Sequence, residues 1–314
     1  MTNGAEASAS FDCFGSTCAA IVAGDGTWGR ASDAVTMARR RLLAWHRRFS
    51  RFEASSELSR LNDDPRAEVP VSGAMATFVA VVLHAARTTG GLVDATLLRE
   101  LEVTGYVGDL PTSVPLPEAL ALAAPRRRAG PSPAGGWRRL RLDPVARTVT
   151  RPPGLALDSG GLAKGLVADL LANALAAHAS FAVDCAGDLR VGGAAGVRRE
   201  VLVASPFDGE VVHAFELADA GVATSGIGRR SWLDADGAPA HHLLDPATGR
   251  PAFTGVVQAT ALAPSATEAE LRAKAAVLSG PEGARGWLPH GGVVVLDDGR
   301  HEVFDPRLAG AAAQ

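Results

Sequence analysis

Only two of the 314 residues are lysines, Lys164 and Lys274, in a chain that otherwise takes its positive charge from arginine, and each lies in a segment able to do chemistry. Lys164 follows the pair Gly160-Gly161 in DSGGLAKG. A glycine-rich turn entering a helix is a ready anion site, because helix-initial N–H groups point outward; the competing use of the same glycines is a tight strand-to-helix turn. Lys274 stands four residues after Glu270 in EAELRAK, and such a pair on a helix surface is worth only about 0.2–0.5 kcal/mol. His241-His242 precede a DPATG turn in which Asp245 and Thr248 can satisfy local backbone donors. Zinc binding by that pair is disfavoured, since neighbours in a strand face opposite ways. Thr224 and Ser225, in ATSG, bring hydroxyls and N–H groups to a strand end, suited to a phosphate or to an ordinary polar turn.

These segments need elements to hold them. Apolar spacing predicts a helix over 31–49, started by Ser32 or Asp33, and a second over 72–89 ending at Gly90-Gly91. Residues 14–24 read as a strand, 155–161 as a strand running into the glycine turn, and LAKGLVADLLANALAAH as an amphipathic helix. FAVDC, VLVAS, GVATSG and GVVQATALAP read as further strands, TEAELRAKAAVLSG as a helix capped by Thr267, and GGVVVLDDGRHEVF as a terminal hairpin. Residues 101–150, punctuated by prolines, hold a hairpin in WRRLRLDPVARTVTRP and are expected to decorate the fold. Strands and helices mix without a βαβ period, which gives an α+β class.

Composition sets the outer bounds. With 47% hydrophobic residues, 21% charged and a net charge of −3, the chain is globular, able to bury a large core, and neither disordered nor a coiled coil. Its length suits one large domain or two intimate lobes sharing a site. Near-neutral charge argues against nucleic acid, and the runs Arg39-Arg40-Arg41 and Arg126-Arg127-Arg128 read as surface. The start of the chain has no signal pattern, no stretch approaches the roughly 18 apolar residues of a membrane span, and three cysteines make no disulfide framework. A cytoplasmic location without a membrane span is the expectation.

Taken in order, SELSRLN (56–62), GLVD (91–94), DSGGLAKG (158–165), AGD (186–188), ATSG (223–226), HHLLDPATG (241–249) and EAELRAK (268–274) resemble the ApbE-type flavin transferases over about residues 14 to 280. HHLLDPATG and DSGGLAKG, with Asp169 downstream, are the most diagnostic pieces. The resemblance implies a mixed α/β, two-lobed fold with FAD between the lobes: a tail over 1–13, then one domain over 14–310 with a variable insertion near 101–150. It implies an enzyme that uses Mg²⁺ to move FMN from FAD onto a Ser or Thr hydroxyl of an acceptor flavoprotein, releasing AMP. Carried over by position, Phe52 stacks on a flat ring, although the family more often has Tyr there, and Phe14 lines the flavin pocket. Leu92, Val93 and Asp94 contact the cofactor, with Ala95 replacing the family's proline. Asp158, Thr224, Ser225, His242 and Leu244 face FAD, Lys164 offsets the diphosphate, and His242 is the candidate base.

One departure bears on the metal. The carbonyl of Gly161 and the side chain of Glu270 fall on the Mg²⁺-ligand positions, but Lys274 stands where the family places Thr. An ammonium has no lone pair and repels the ion. Either Glu270 and Lys274 form a surface ion pair, or Lys274 supplies the charge a metal would supply. The alternatives to transfer are FAD hydrolysis to FMN and AMP, and FAD binding without catalysis.

Overall fold

The computed structural model describes residues 5–108, 113–306 and 308. Its centre is an eight-stranded sheet: β1 (Glu6–Cys13), β2 (Ser16–Ala23), β3 (Ser180–Cys185), β4 (Asp188–Gly192), β5 (Ala220–Gly226), β6 (Val256–Ala263), β7 (Gly292–Leu296) and β8 (His301–Phe304). Spatial order equals chain order and every neighbouring pair is antiparallel, so the sheet is a meander with long excursions inserted between strands. Helix and strand mix as the α+β reading expects. The alternation of Cys18, Ala20 and Val22, all fully buried, packs β2 on the helices. β6, a central strand, is buried on nearly every residue.

The excursion between β2 and β3 carries six helices: α1 (Ala31–Phe49), α2 (Glu57–Asp63), α3 (Gly73–Thr88), α4 (Leu98–Val103), α5 (Leu116–Leu122) and α6 (Ala163–Leu175). α7 (Ala266–Ala284) lies between β6 and β7 and is broken at Gly280, whose φ of +70° only glycine adopts cheaply, just before Pro281. α1 packs Ala34, Val35, Ala38 and Leu42 inward, the spacing of one helix face. α2 and α3 are capped by Ser56 and Ser72, whose hydroxyls accept from Ser59 and Met75 N–H.

Several expectations change. Residues 6–13 are no tail: they form β1, an edge strand in full register with β2. The start of α1 follows Arg30 with no side-chain cap, and Ser32 and Asp33 lie inside the helix. Residues 155–161 make no strand; the N–H and C=O of Leu157 are both taken by the Asn62 side chain, at 2.8 and 2.9 Å, so no ladder forms there. The cap of α7 is Ser265, which accepts from Glu268 N–H, while Thr267 is already helical. Residues 101–150 do form the hairpin Arg141–Asp143 and Thr148–Thr150, joined by Glu68–Pro70 into a small sheet. They do more than decorate, because Arg127 N–H donates to Phe253 and Gly130 N–H to Asp245. The two arginine runs are exposed, the three cysteines are buried and free, and among the described residues no helix is long and apolar enough to cross a membrane.

Candidate active site

Four structural devices converge on one cavity of about 680 Å³, a size usual for cofactor pockets. The first is the β1–β2 turn. Phe14 and Gly15 both have positive φ, 56° and 68°, as a two-residue hairpin loop of type I′ requires. Phenylalanine takes that conformation reluctantly, and its backbone is held from two sides: the Phe14 N–H donates to His46 Nδ1 at 3.3 Å and Arg230 donates to the Phe14 carbonyl at 3.0 Å. The Phe14 ring meets His46 edge-on at 5.2 Å and lines the cavity.

The second device is the crossing of α6 and α7. A side chain at Gly165 would stand 2.6 Å from the Ala266 carbonyl, so only glycine lets the helices approach this closely. Asp169 on α6 then accepts from the N–H groups of Ala266 and Thr267 and from the Thr267 hydroxyl, at 2.8, 2.9 and 2.6 Å, holding the first turn of α7 from outside that helix. This clamp fixes Lys164 on α6 relative to Glu270 and Lys274 on α7.

The third device is the β3–β4 turn, where Ala186 and Gly187 repeat the paired positive φ of the β1–β2 turn, at 59° and 96°. It delivers Asp188, 0% exposed, onto the Lys164 ammonium in a short hydrogen-bonded ion pair. Glu270, 1% exposed, lies behind the same ammonium: its Oε1 is 3.7 Å from Lys164 Nζ and without a hydrogen bond, and its Oε2 accepts from Gly165 N–H at 3.0 Å. Burial and the neighbouring Asp188 push the Glu270 carboxyl up to about 8. Burial opposes charge on Lys164 too, but Asp188 and Glu270 override it and hold the ammonium above the ordinary lysine range. Lys274 differs: among the described residues no carboxylate lies within 4.0 Å of it, and burial draws it below the ordinary range.

The fourth device is the DPATG turn. Asp245 accepts from Ala247 and Gly130 N–H, at 3.0 and 2.9 Å, and from the Thr248 hydroxyl and Arg127, at 3.2 and 3.1 Å, which pins His242, Leu243 and Leu244 on the wall. Burial, Arg230 and Lys274 push His242 well below the usual imidazole range, so its ring is neutral near pH 7, with Nδ1 unpartnered. Its neighbour His241 faces away, against Phe253, with ring centroids 4.8 Å apart.

Of the residues singled out in the sequence, Phe14, Phe52, Leu92, Val93, Asp94, Asp158, Gly161, Lys164, His242 and Leu244 line this cavity together with Lys274. Thr224 and Ser225 do not: Thr224 shares a hydrogen bond with Thr260 at 2.8 Å across β5 and β6, and Ser225 is buried in β5, because the sheet continues through the strand end that the sequence left free. Glu270 is behind the wall, on Lys164. Asp94 offers an unpartnered buried oxygen, Oδ2, while its Oδ1 holds Thr96, and burial raises its carboxyl. Asp158 faces Arg51 at 3.3 Å, and burial raises it as well.

Arg51, His46, Tyr106, Arg229 and Arg230 were missed in the sequence and also line the cavity. The guanidinium of Arg51 lies 4.2 Å from the ring centroid of Phe52 and 4.5 Å from that of Tyr106, making a cation–π shelf at the mouth. Tyr106, the one tyrosine of the chain, gave a usable signal by its rarity alone. Arg51, Lys164, Arg229, Arg230 and Lys274 outnumber the wall carboxylates Glu53, Asp94 and Asp158, so the cavity suits an anion.

The model of the ApbE family matches residues 14–296. The chain belongs to the ApbE family. It is 27% identical over 253 residues to the FAD:protein FMN transferase of Escherichia coli, covering 78% of this chain and 71% of that protein. The FAD:protein FMN transferase of Salmonella typhimurium is 29% identical over 252 residues, covering 77% and 69%. Its fold is that of the ApbE protein of Thermotoga maritima, with a TM-score of 0.78 at 23% identity over 96% of this chain and 97% of that one. Pseudomonas stutzeri flavinyl transferase ApbE gives a TM-score of 0.73 at 21% identity, over 94% and 92%.

The Mg²⁺ that the family resemblance implied does not fit these residues. Among the described residues no three His, Cys, Asp or Glu side chains are grouped to hold a metal. Glu270 has one oxygen committed to Gly165 and the other next to an ammonium. A cation held by Glu270 Oε1 would have the Lys164 ammonium, 3.7 Å from that oxygen, as a like-charged neighbour.

Proposed function

We propose that the cavity binds FAD and transfers its FMN moiety to a Ser or Thr hydroxyl of an acceptor flavoprotein, with AMP as the leaving product. The observation that carries this reading is the convergence of GLVD, DSGGLAKG, HHLLDPATG and the Lys274 end of EAELRAK on one cavity in which cationic side chains outnumber carboxylates and aromatic rings stand at the mouth. Phe52 and Tyr106 offer π faces to a flat ring, Asp94 Oδ2 an acceptor to a ring N–H, and the lysines and Arg230 a positive field for the diphosphate.

In the transfer, the acceptor's hydroxyl oxygen bonds to the FMN-side phosphorus and the bond from that phosphorus to the bridging oxygen breaks. AMP leaves with the bridging oxygen, and the hydroxyl proton passes to a base. His242 is that base: its ring is neutral with Nδ1 unpartnered, and although burial is the main cause of its low basicity, the arriving diphosphate offsets the part due to Arg230 and Lys274. Positioning and charge neutralisation supply most of the rate in such reactions.

Incubation with FAD and a purified acceptor flavoprotein, read by mass spectrometry, tests the reading. An FMN adduct on a Ser or Thr supports it. Free FMN and AMP would indicate hydrolysis, with water replacing the hydroxyl, and unchanged FAD would indicate binding alone. The last outcome has a specific observation behind it, the lysine at an expected metal-ligand position.

A further inference from the structure

The two lysines have different surroundings, although both face the cavity. The charge of Lys164 is answered inside the protein by Asp188, with Glu270 behind it. Lys274 has no such partner among the described residues, and its head lies against the glycine turn: a Cβ built on Gly161 would be 3.0 Å from Lys274 Cε and 3.2 Å from Nζ. Gly161 and Glu270 are the positions where the family resemblance placed a cation. The amine of Lys274 fills the space beside the first, and the second is turned to Gly165 and Lys164. An unpaired amine at the cavity wall, next to a turn whose N–H groups begin α6, is placed to meet a phosphate oxygen.

We infer that Lys274 takes the place of a divalent cation in this protein, contacting the diphosphate of the bound dinucleotide so that binding and transfer proceed without a metal. This rests on the flavin reading above. The covalent step stays as written there, with the ammonium in contact with the diphosphate oxygens while the bond to the bridging oxygen breaks. Lys164, already paired with Asp188, fixes the geometry of the floor.

The test is FAD affinity of the whole chain, followed by flavin fluorescence or calorimetry, in EDTA and in millimolar Mg²⁺. Wild type is expected to bind FAD equally in both, within about twofold. Lys274→Met, matched in length and uncharged, should lose at least tenfold in EDTA, with its circular dichroism and thermal midpoint compared with wild type as a folding check. A measurement on wild type alone guards against misfolding of the variant: Mn²⁺ added to the FAD complex should keep its free six-line paramagnetic resonance spectrum. FAD binding by wild type that strengthens tenfold with Mg²⁺, a tight Mn²⁺ site in the FAD complex, or unchanged affinity of Lys274→Met in EDTA would each overturn the inference while leaving the flavin reading standing. Failure of wild type to bind FAD in either buffer would remove both.

Discussion

The floor and the mouth of the cavity are built on opposite terms. At the floor, Lys164, Asp188 and Glu270 are almost wholly removed from water and answer one another's charges. At the mouth, Phe52 is 50% exposed and the Arg51 guanidinium spans two aromatic rings with its Nε near Asp158. Groups satisfied inside the protein set geometry, and groups left open meet the ligand. Lys274 is the exception at the floor, open in a region otherwise closed on itself.

The sharpest way to break this contrast is Asp188→Ala. It strands a buried ammonium with only Glu270 at 3.7 Å, and should cost about 3 kcal/mol of stability, seen as a large drop in the denaturant midpoint. The double variant Asp188→Leu, Lys164→Met should recover only part of that loss, since it removes the Asp188–Lys164 pair but leaves the buried Glu270 carboxyl with no ammonium beside its Oε1. If the single change is silent, the floor is not held by this pair.

His241, behind the wall, gives the next effect. Burial depresses its imidazole to about 3, against 6.5 in the unfolded chain. Between those values the unfolded state binds the extra proton, so this contribution is whole above pH 6.5 and is lost as pH falls toward about 3. At pH 5 that amounts to about 2 kcal/mol. Thermal midpoints from pH 7 to pH 4 should fall more steeply for wild type than for His241→Leu; parallel curves would contradict the burial.

At the mouth, Phe52→Ala should weaken FAD binding about tenfold by loss of a stacking face. The stability change should stay within about 0.5 kcal/mol, as for an exposed side chain. A large stability loss would place Phe52 with the core. The smallest effect belongs to Asp169→Ala, which releases the first turn of α7 at about 1 kcal/mol. It should also lower FAD affinity, because the two lysines lose their fixed separation; unchanged affinity would show that another contact sets it.

Regions with a strong period were legible. The helix over 31–49 forms with those bounds, and the terminal hairpin and the helix after Ser265 form where the pattern placed them. β1 was not legible as a strand, although Ala7, Ala9, Phe11 and Cys13 alternate with Glu6, Ser8, Ser10 and Asp12, because the inward side chains are mostly small and give a weak hydrophobic signal on an edge strand. Leu157 looked like part of a strand because its apolar neighbours do; the hydrogen bonds it uses come from Asn62, 95 residues away along the chain. Thr224 and Ser225 carried the right hydroxyls for a ligand, but the sheet register spends them on Thr260 and the interior. Asp188 stood in a visible motif without an assigned partner, since nothing local shows that its turn faces α6.

The sequence by itself determined which residues could take part: a glycine turn before one lysine, a carboxylate and a second lysine one helical turn apart, and a histidine ahead of a tight turn. These follow from side-chain chemistry and short spacings, which a linear chain displays. Only the tertiary structure decided that Lys164 belongs to Asp188 while Lys274 stays open against Gly161. Charge pairing depends on distance through space and on exclusion of water, and both arise only when α6, α7 and the β3–β4 turn are packed together.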